Sequence, residues 1–310
     1  MTNSPVLRAA LWMTGTLMAF SMVGVATRHL TDGGLPVFQI LFLRAAVGLM
    51  ILSPIVMWRG WASVRTAQWR LHTIRNTLHF GASYAWYFGI AVLPLANVFA
   101  IEFTAPIWVA LLAVVLLGER MNRARGVAIL LGIAGMLIIL RPGFESFTAA
   151  SLVVLVSAFG FACAHIATKE LTQNNSVLKV LFWMAAMQFP MGLGPAIAVW
   201  TPIEGYAWLW TFAVGGSAVT AHFCLTRALS LADASVVVPM DFLRIPAIAV
   251  VSLFVFGEAI DGWVILGAAV IFAGTYYSIR HEHRTVAAFA VATPPLEQTA
   301  MPDPTPTDRR

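Results

Sequence analysis

Glu102 and Asp241 are carboxylates embedded in apolar sequence, and the chemistry of this chain starts there. The ionisable residues inside its long apolar blocks are Arg44, Arg75, His79, Glu102, His165, His222, Arg227, Asp241 and Arg244. Placing such a side chain in hydrocarbon costs about 2.5–3.5 kcal/mol on insertion scales, so each needs a partner or a task. Two carboxylates in that setting suit cation binding, proton coupling or a counter-ion network. A structural role is the alternative. Asp241 and Arg244 are spaced i,i+3 and can pair on one helix face. Glu102 can pair with Arg44 from a helix at similar depth. The two readings are compatible.

Histidine and aromatic side chains form the second candidate set. His79, Tyr84, Trp86 and Tyr87 share the third apolar block, His165 lies in the sixth and His222 in the eighth. An aromatic wall can stack on a flat or cationic ligand. Ordinary packing and interfacial anchoring account for Trp and Tyr as well. Pro106 and Pro246 each interrupt an apolar block. A proline there frees a backbone carbonyl and can bend a helix beside a cavity. The histidines form no His-x-x-x-His pair, and Cys163 and Cys224 have neither zinc nor disulfide spacing. The sequence holds no phosphate-binding Gly-rich loop and no Ser/His/Asp signature. No catalytic residue, cofactor or metal is therefore expected, nor ATP-driven transport.

The elements that must position these residues follow from composition. Hydrophobic residues make up 59% of the 310 positions and charged residues only 11%, against about 25% in an ordinary soluble domain. Mean hydropathy is +0.81. The apolar residues come in blocks near 9–28, 36–58, 71–92, 96–117, 124–140, 149–168, 178–200, 206–229, 235–256 and 262–280. Each is close to the roughly 20 residues that span a bilayer. The pattern predicts an all-α integral membrane protein with ten transmembrane helices. Residues 1–8 form a short N-terminus, and the Pro-rich stretch 285–310 reads as a disordered, solvated tail. The net charge of +5 fits topology better than nucleic-acid binding. Arg59, Arg65, Arg70, Arg120, Arg123, Lys169, Lys179 and Arg280 all fall on one side, and Arg28 and Arg141 on the other. The asymmetry predicts both termini in the cytoplasm, and the expected location is a bacterial inner membrane.

The chain also repeats itself. Ala26-Thr27-Arg28-His29-Leu30-Thr31 matches Ala167-Thr168-Lys169-Glu170-Leu171-Thr172, about 140 positions on. Leu41-Phe42-Leu43-Arg44-Ala45-Ala46 matches Leu181-Phe182-Trp183-Met184-Ala185-Ala186, Glu102-Phe103 matches Asp241-Phe242, and Gly118-Glu119 matches Gly257-Glu258. The units are 9–140 and 149–280, with five blocks each. An odd number of crossings forces the second unit to run in the opposite sense, as in the inverted repeats of secondary transporters. Glu102 and Asp241 then sit about 9 Å into their helices from opposite sides. In a core about 30 Å thick that leaves them roughly 12 Å apart along the membrane normal.

With these features the chain resembles the EamA-type branch of the drug/metabolite transporter superfamily. The matching residues are Pro106 followed by Gly118-Glu119-Arg120, Pro246 followed by Gly257-Glu258, and the glycines that follow each motif, Gly126, Gly132 and Gly135, then Gly267 and Gly274. The resemblance covers about 9–280. It implies a secondary transporter in which the third, sixth and eighth helices border a central cavity. It also marks Arg44 as part of a common pattern, although its repeat mate is Met184. The expected activity is alternating-access movement of a small polar or amphipathic metabolite, such as an amino acid or amine. The substrate or proton pathway candidates are Glu102, Asp241, Arg44, Arg244, Tyr84, Trp86, His79 and His222. The competing functions are an integral-membrane enzyme acting on a lipid and a non-transporting scaffold. The expected partners are the solute, the lipid bilayer, protons as coupling ion and, as an assembly, a second copy in a homodimer; nucleic acid is not among them.

Overall fold

A computed structural model describes residues 5–93, 95–102, 104–118, 123–140 and 148–244, with separate positions between 254 and 281. The described secondary structure is helical throughout. In chain order it comprises α1 (Pro5–Asp32), α2 (Val37–Arg59), α3 (Trp69–Val92), α4 (Leu95–Glu102), α5 (Ala105–Leu117), α6 (Arg123–Leu140), α7 (Ala149–Asn174), α8 (Val177–Ala198), α9 (Ala207–Leu231) and α10 (Ala234–Val237). Short 3-10 turns occupy Trp61–Val64 and Val238–Leu243. Pro246, the tail 285–310 and residues 1–4 lie outside the described residues.

The distribution of side chains is that of a membrane protein. Met18, Met57, Val115 and Val156 are largely exposed, while Gln39, Arg75, Asn76, His79 and Gln188 are buried. Exposed apolar side chains on so many helices are unfavourable in water. Against lipid it is the expected exterior, and the polar groups must satisfy one another inside. By length and composition α1, α2, α7, α8 and α9 can each cross a membrane. Helix α3 is as long, but His72, Arg75, Asn76 and His79 give it a polar stripe that it turns inward.

The longest helix contacts are α1 with α9, α3 with α7 and α2 with α8. Small residues bring the axes together, as is usual between helices in lipid. Gly48 approaches Ala185 and Gly192 approaches the backbone of Phe42 where α2 meets α8. Gly160 approaches Ala82 where α7 meets α3. Two cations tie the ends of neighbouring helices. Arg28 on α1 donates to the carbonyls of Ile90 and Leu93 at the end of α3, at 2.7 and 3.1 Å. Lys169 on α7 donates to the carbonyls of Leu229 and Ala232 at the end of α9, at 3.0 and 2.7 Å. Both satisfy carbonyls that a helix C-terminus leaves without partners.

Two of the expected spans differ from a continuous helix, and both differ at the acidic residues. The block 96–117 is divided into α4 and α5, and Thr104 stands between them with its N–H on the carbonyl of Ile101. Pro106 occupies the first turn of α5, where its missing N–H costs nothing. It therefore starts a helix rather than bending one from within. The block beginning at 235 opens with one turn of α-helix and continues as the 3-10 turn that carries Asp241. Gly118 ends α5 with φ +66°, a left-handed conformation in which glycine has no steric penalty.

Candidate functional site

Arg244 joins the two acidic residues. Its Nη2 lies 2.6 Å from Glu102 Oε1 and 2.9 Å from Asp241 Oδ2. The interruptions in the helices produce this meeting: Glu102 is the last residue of α4, and Asp241 and Arg244 flank the end of the 3-10 turn. The Trp86 indole N–H donates to Glu102 Oε2 at 2.6 Å. The rings of Phe20 and Phe99 lie 5.2 and 5.1 Å from the Arg244 guanidinium carbon, within cation–π range. The Arg244 side chain is only 2% exposed, so its charge is neutralised within the protein rather than by water.

This corrects two sequence expectations. Glu102 pairs with Arg244 and not with Arg44. The carboxylates also do not stand roughly 12 Å apart on either side of the membrane centre. They share one nitrogen of one guanidinium. A rise of 1.5 Å per residue holds only along a regular α-helix, and the chain is irregular at both carboxylates.

The triad faces a cavity between the helices that is partly open to its surroundings. Residues of α1, α2, α3, α7 and α9 complete its wall. Arg44, His79, Trp86, Glu102, His222, Asp241 and Arg244 all line it. Tyr84 does not. It stacks on Phe38 with ring centroids 4.2 Å apart, and its neighbour Tyr87 faces the cavity instead. Arg227 is exposed on α9 rather than interior.

A second polar network on the wall of the same cavity surrounds Arg44. Its Nη2 donates to Gln188 Oε1 at 2.7 Å, and its Nη1 lies 3.5 Å from Ser83 Oγ. An arginine only donates, so Gln188 must present its oxygen there and its Nε2 elsewhere. That Nε2 lies 3.0 Å from His79 Nδ1, which must then accept. A neutral His79 ring therefore carries its proton on Nε2. The His79 and His222 rings meet edge to face at 4.8 Å. Gln188 and Ser83 were not among the residues singled out from sequence. Their signal is faint, because neutral polar residues in a spanning helix are common enough to pass unremarked. Among the described residues no group of histidines, cysteines and carboxylates has the arrangement of a metal site.

The chain is similar to known proteins. The family model described as EamA-like transporter family matches residues 7–141 and again 148–280. A riboflavin transporter of Rhizobium johnstonii is 32% identical over 279 residues, covering 89% of this chain and 92% of that protein. An S-adenosylmethionine uptake transporter of Rickettsia prowazekii is 26% identical over 277 residues, covering 89% and 94%. A solved crystal structure superposes with a TM-score of 0.73, covering 89% of this chain and 98% of the other; at 19% identity it speaks for the fold alone. The double family match and the full-length relatives agree with the inward polar residues and lipid-suited exterior: the chain is a multi-pass membrane protein of the EamA-like transporter family, whose members are transporters and not enzymes.

Proposed function

We propose that the chain is a secondary transporter that moves a small polar or amphipathic metabolite, an amino acid, amine or related compound, across the bacterial inner membrane by alternating access. The observation that carries this reading is the cavity at which Glu102, Asp241 and Arg244 meet, where two helices are interrupted. Interrupted helices at mid-membrane sites are a device of secondary transporters, because they free backbone and side-chain groups beside a cavity.

The ten-helix inverted repeat belongs to the same proposal. The contact of α1 with α9 exchanges with that of α7 with α3 when the halves are interchanged, and the contact of α2 with α8 maps onto itself. The helix-end ties of Arg28 and Lys169 exchange in the same way. The same proposal has both termini in the cytoplasm, with the one-sided distribution of basic loops as its support. Protons are the proposed coupling ion, with Glu102 or Asp241 as carrier, and a homodimer is the proposed assembly. Relatives named for S-adenosylmethionine and riboflavin favour solutes with a flat ring, which the Trp86 and Tyr87 walls can stack on.

The test is flux into proteoliposomes containing the purified protein. Labelled amino acids, S-adenosylmethionine and riboflavin are supplied with and without a pH gradient. Accumulation of at least one solute above that in empty liposomes is expected. Accumulation of none would refute the reading.

A further inference from the structure

We propose that the cavity binds its solute at two poles, with Arg44 holding a carboxylate and Asp241 holding an ammonium or other donor group; this rests on the transporter reading above. Arg44 is 8% exposed and lines the same cavity as the ion triad. Its partners among the described residues are neutral: Gln188, Ser83 and the face of Tyr87, 5.5 Å away. No ion pair among the described residues includes it. A buried guanidinium without a counter-charge is costly to keep. Arg75, one turn earlier on α3 than His79, adds a second buried positive charge, bonded to the neutral Thr168 and Asn76. This end of the protein interior therefore has an excess of positive charge.

The triad end has the opposite balance. Two carboxylates share one guanidinium there, so ionised Glu102 and Asp241 leave a formal negative charge. Asp241 Oδ1 is buried and accepts no hydrogen bond among the described residues. It is an acceptor with capacity to spare, just as Arg44 is a charge with capacity to spare. The guanidinium fork matches a carboxylate in two parallel hydrogen bonds. The free carboxylate oxygen matches an ammonium. Between the poles Trp86, Tyr87 and Phe161 supply apolar wall. A molecule that satisfies all three features is a zwitterion of the amino-acid type with an apolar or aromatic body.

The experiment presents proteoliposomes with one defined mixture. It contains the protein amino acids, the corresponding carboxamides and decarboxylated amines, and uncharged nucleosides. Mass spectrometry then identifies what has accumulated. The expected result is accumulation of acids, with the matching carboxamides and amines taken up about ten-fold less or worse, the usual scale for losing a charged hydrogen-bond partner. Arg44→Gln should remove that preference and Arg44→Lys should restore part of it. The thermal stability of Arg44→Gln in detergent should be unchanged or higher, since no structural ion pair is lost. Accumulation of solutes without a carboxylate, or an undiminished preference for acids in Arg44→Gln, would overturn the two-pole site and leave transport standing. Accumulation of nothing would sink transport itself and this inference with it. A strongly destabilised Arg44→Gln protein would assign Arg44 to the fold and overturn its role as a solute pole.

Discussion

One nitrogen of Arg244 bonds to Glu102 from the first half of the chain at 2.6 Å and to Asp241, three residues away, at 2.9 Å. The contact between Arg244 and Glu102 spans 142 positions of sequence and joins two interrupted helices. A charge cluster so placed can hold the halves in one arrangement, and its release can permit another.

The first prediction concerns that cluster. Arg244→Gln leaves two buried carboxylates facing each other, and breaking a buried pair typically costs about 3–5 kcal/mol. A large fall in the melting temperature in detergent is expected. Glu102→Gln keeps shape and part of the hydrogen bonding, so it should insert and melt near wild type while its flux collapses. The double variant Glu102→Gln with Arg244→Gln should recover only part of the stability, because Asp241 still lacks its cation, and none of the flux. Recovery of near-normal flux in the double variant would reduce the cluster to fold glue.

Arg28 and Lys169 give a second prediction. Each satisfies two carbonyls at a helix end, Arg28 on α3 and Lys169 on α9. A cation at a helix C-terminus contributes about 0.3–1 kcal/mol when exposed and up to about 2 kcal/mol when partly buried. Lys169→Ala should therefore lower stability by about 1–2 kcal/mol, and Arg28→Ala by a similar amount. Arg28 also pairs with Asp32 at 3.2 Å, but that surface contact should add little. Thermal melting of each alanine variant decides the matter. An unshifted melting curve for both would remove these ties from the account of stability.

The spans and the acidic residues were legible in sequence because composition and repeat spacing are local signals. The blocks starting at 36, 71, 149, 178 and 206 correspond to α2, α3, α7, α8 and α9, although α7 runs on to Asn174, past the expected end at 168. The partner of Glu102 was not legible. Choosing between Arg44 and Arg244 requires the relative rotation of helices far apart in sequence, and apolar blocks with no polar face leave that rotation unmarked. The break after Glu102 was half-legible. Pro106 signalled an interruption, but a proline inside a hydrophobic run does not say whether the helix bends or restarts. Gln188 escaped notice because no charge drew attention to it, yet it bridges Arg44 and His79.

Topology is the third prediction, and Arg28 sharpens it. This arginine lies on the side that the basic-loop rule leaves poor in cations. Its bonds to Ile90 and Leu93 give it a structural reason to be there, so it does not count against the rule. In a background with Cys163 and Cys224 replaced by serine, Tyr206→Cys should react with an impermeant thiol reagent in intact cells. Tyr206 is 85% exposed at the start of α9, so access to it is not limited by packing. Arg59→Cys, at the end of α2, should react only after the cells are opened. The reverse pattern would invert the assignment.

The last prediction separates two glycines that sequence alone treats alike. A β-carbon on Gly160 of α7 would stand 2.9 Å from the Ala82 β-carbon on α3. That carbon is fixed to its backbone, so the helices must move apart rather than a side chain turn aside. Overpacking of this kind costs about 1–3 kcal/mol. Gly216 of α9 has nothing within 4 Å of the same added carbon. There an alanine gains helix propensity, worth about 1 kcal/mol over glycine in water, and meets no neighbour. Gly160→Ala should thus lower the melting temperature and reduce flux, because α3 carries His79, Trp86 and Tyr87 into the cavity wall. Gly216→Ala should leave melting equal or slightly higher and flux unchanged. Equal destabilisation of the two variants would mean that the contact of α3 with α7 is not the close one the structure shows.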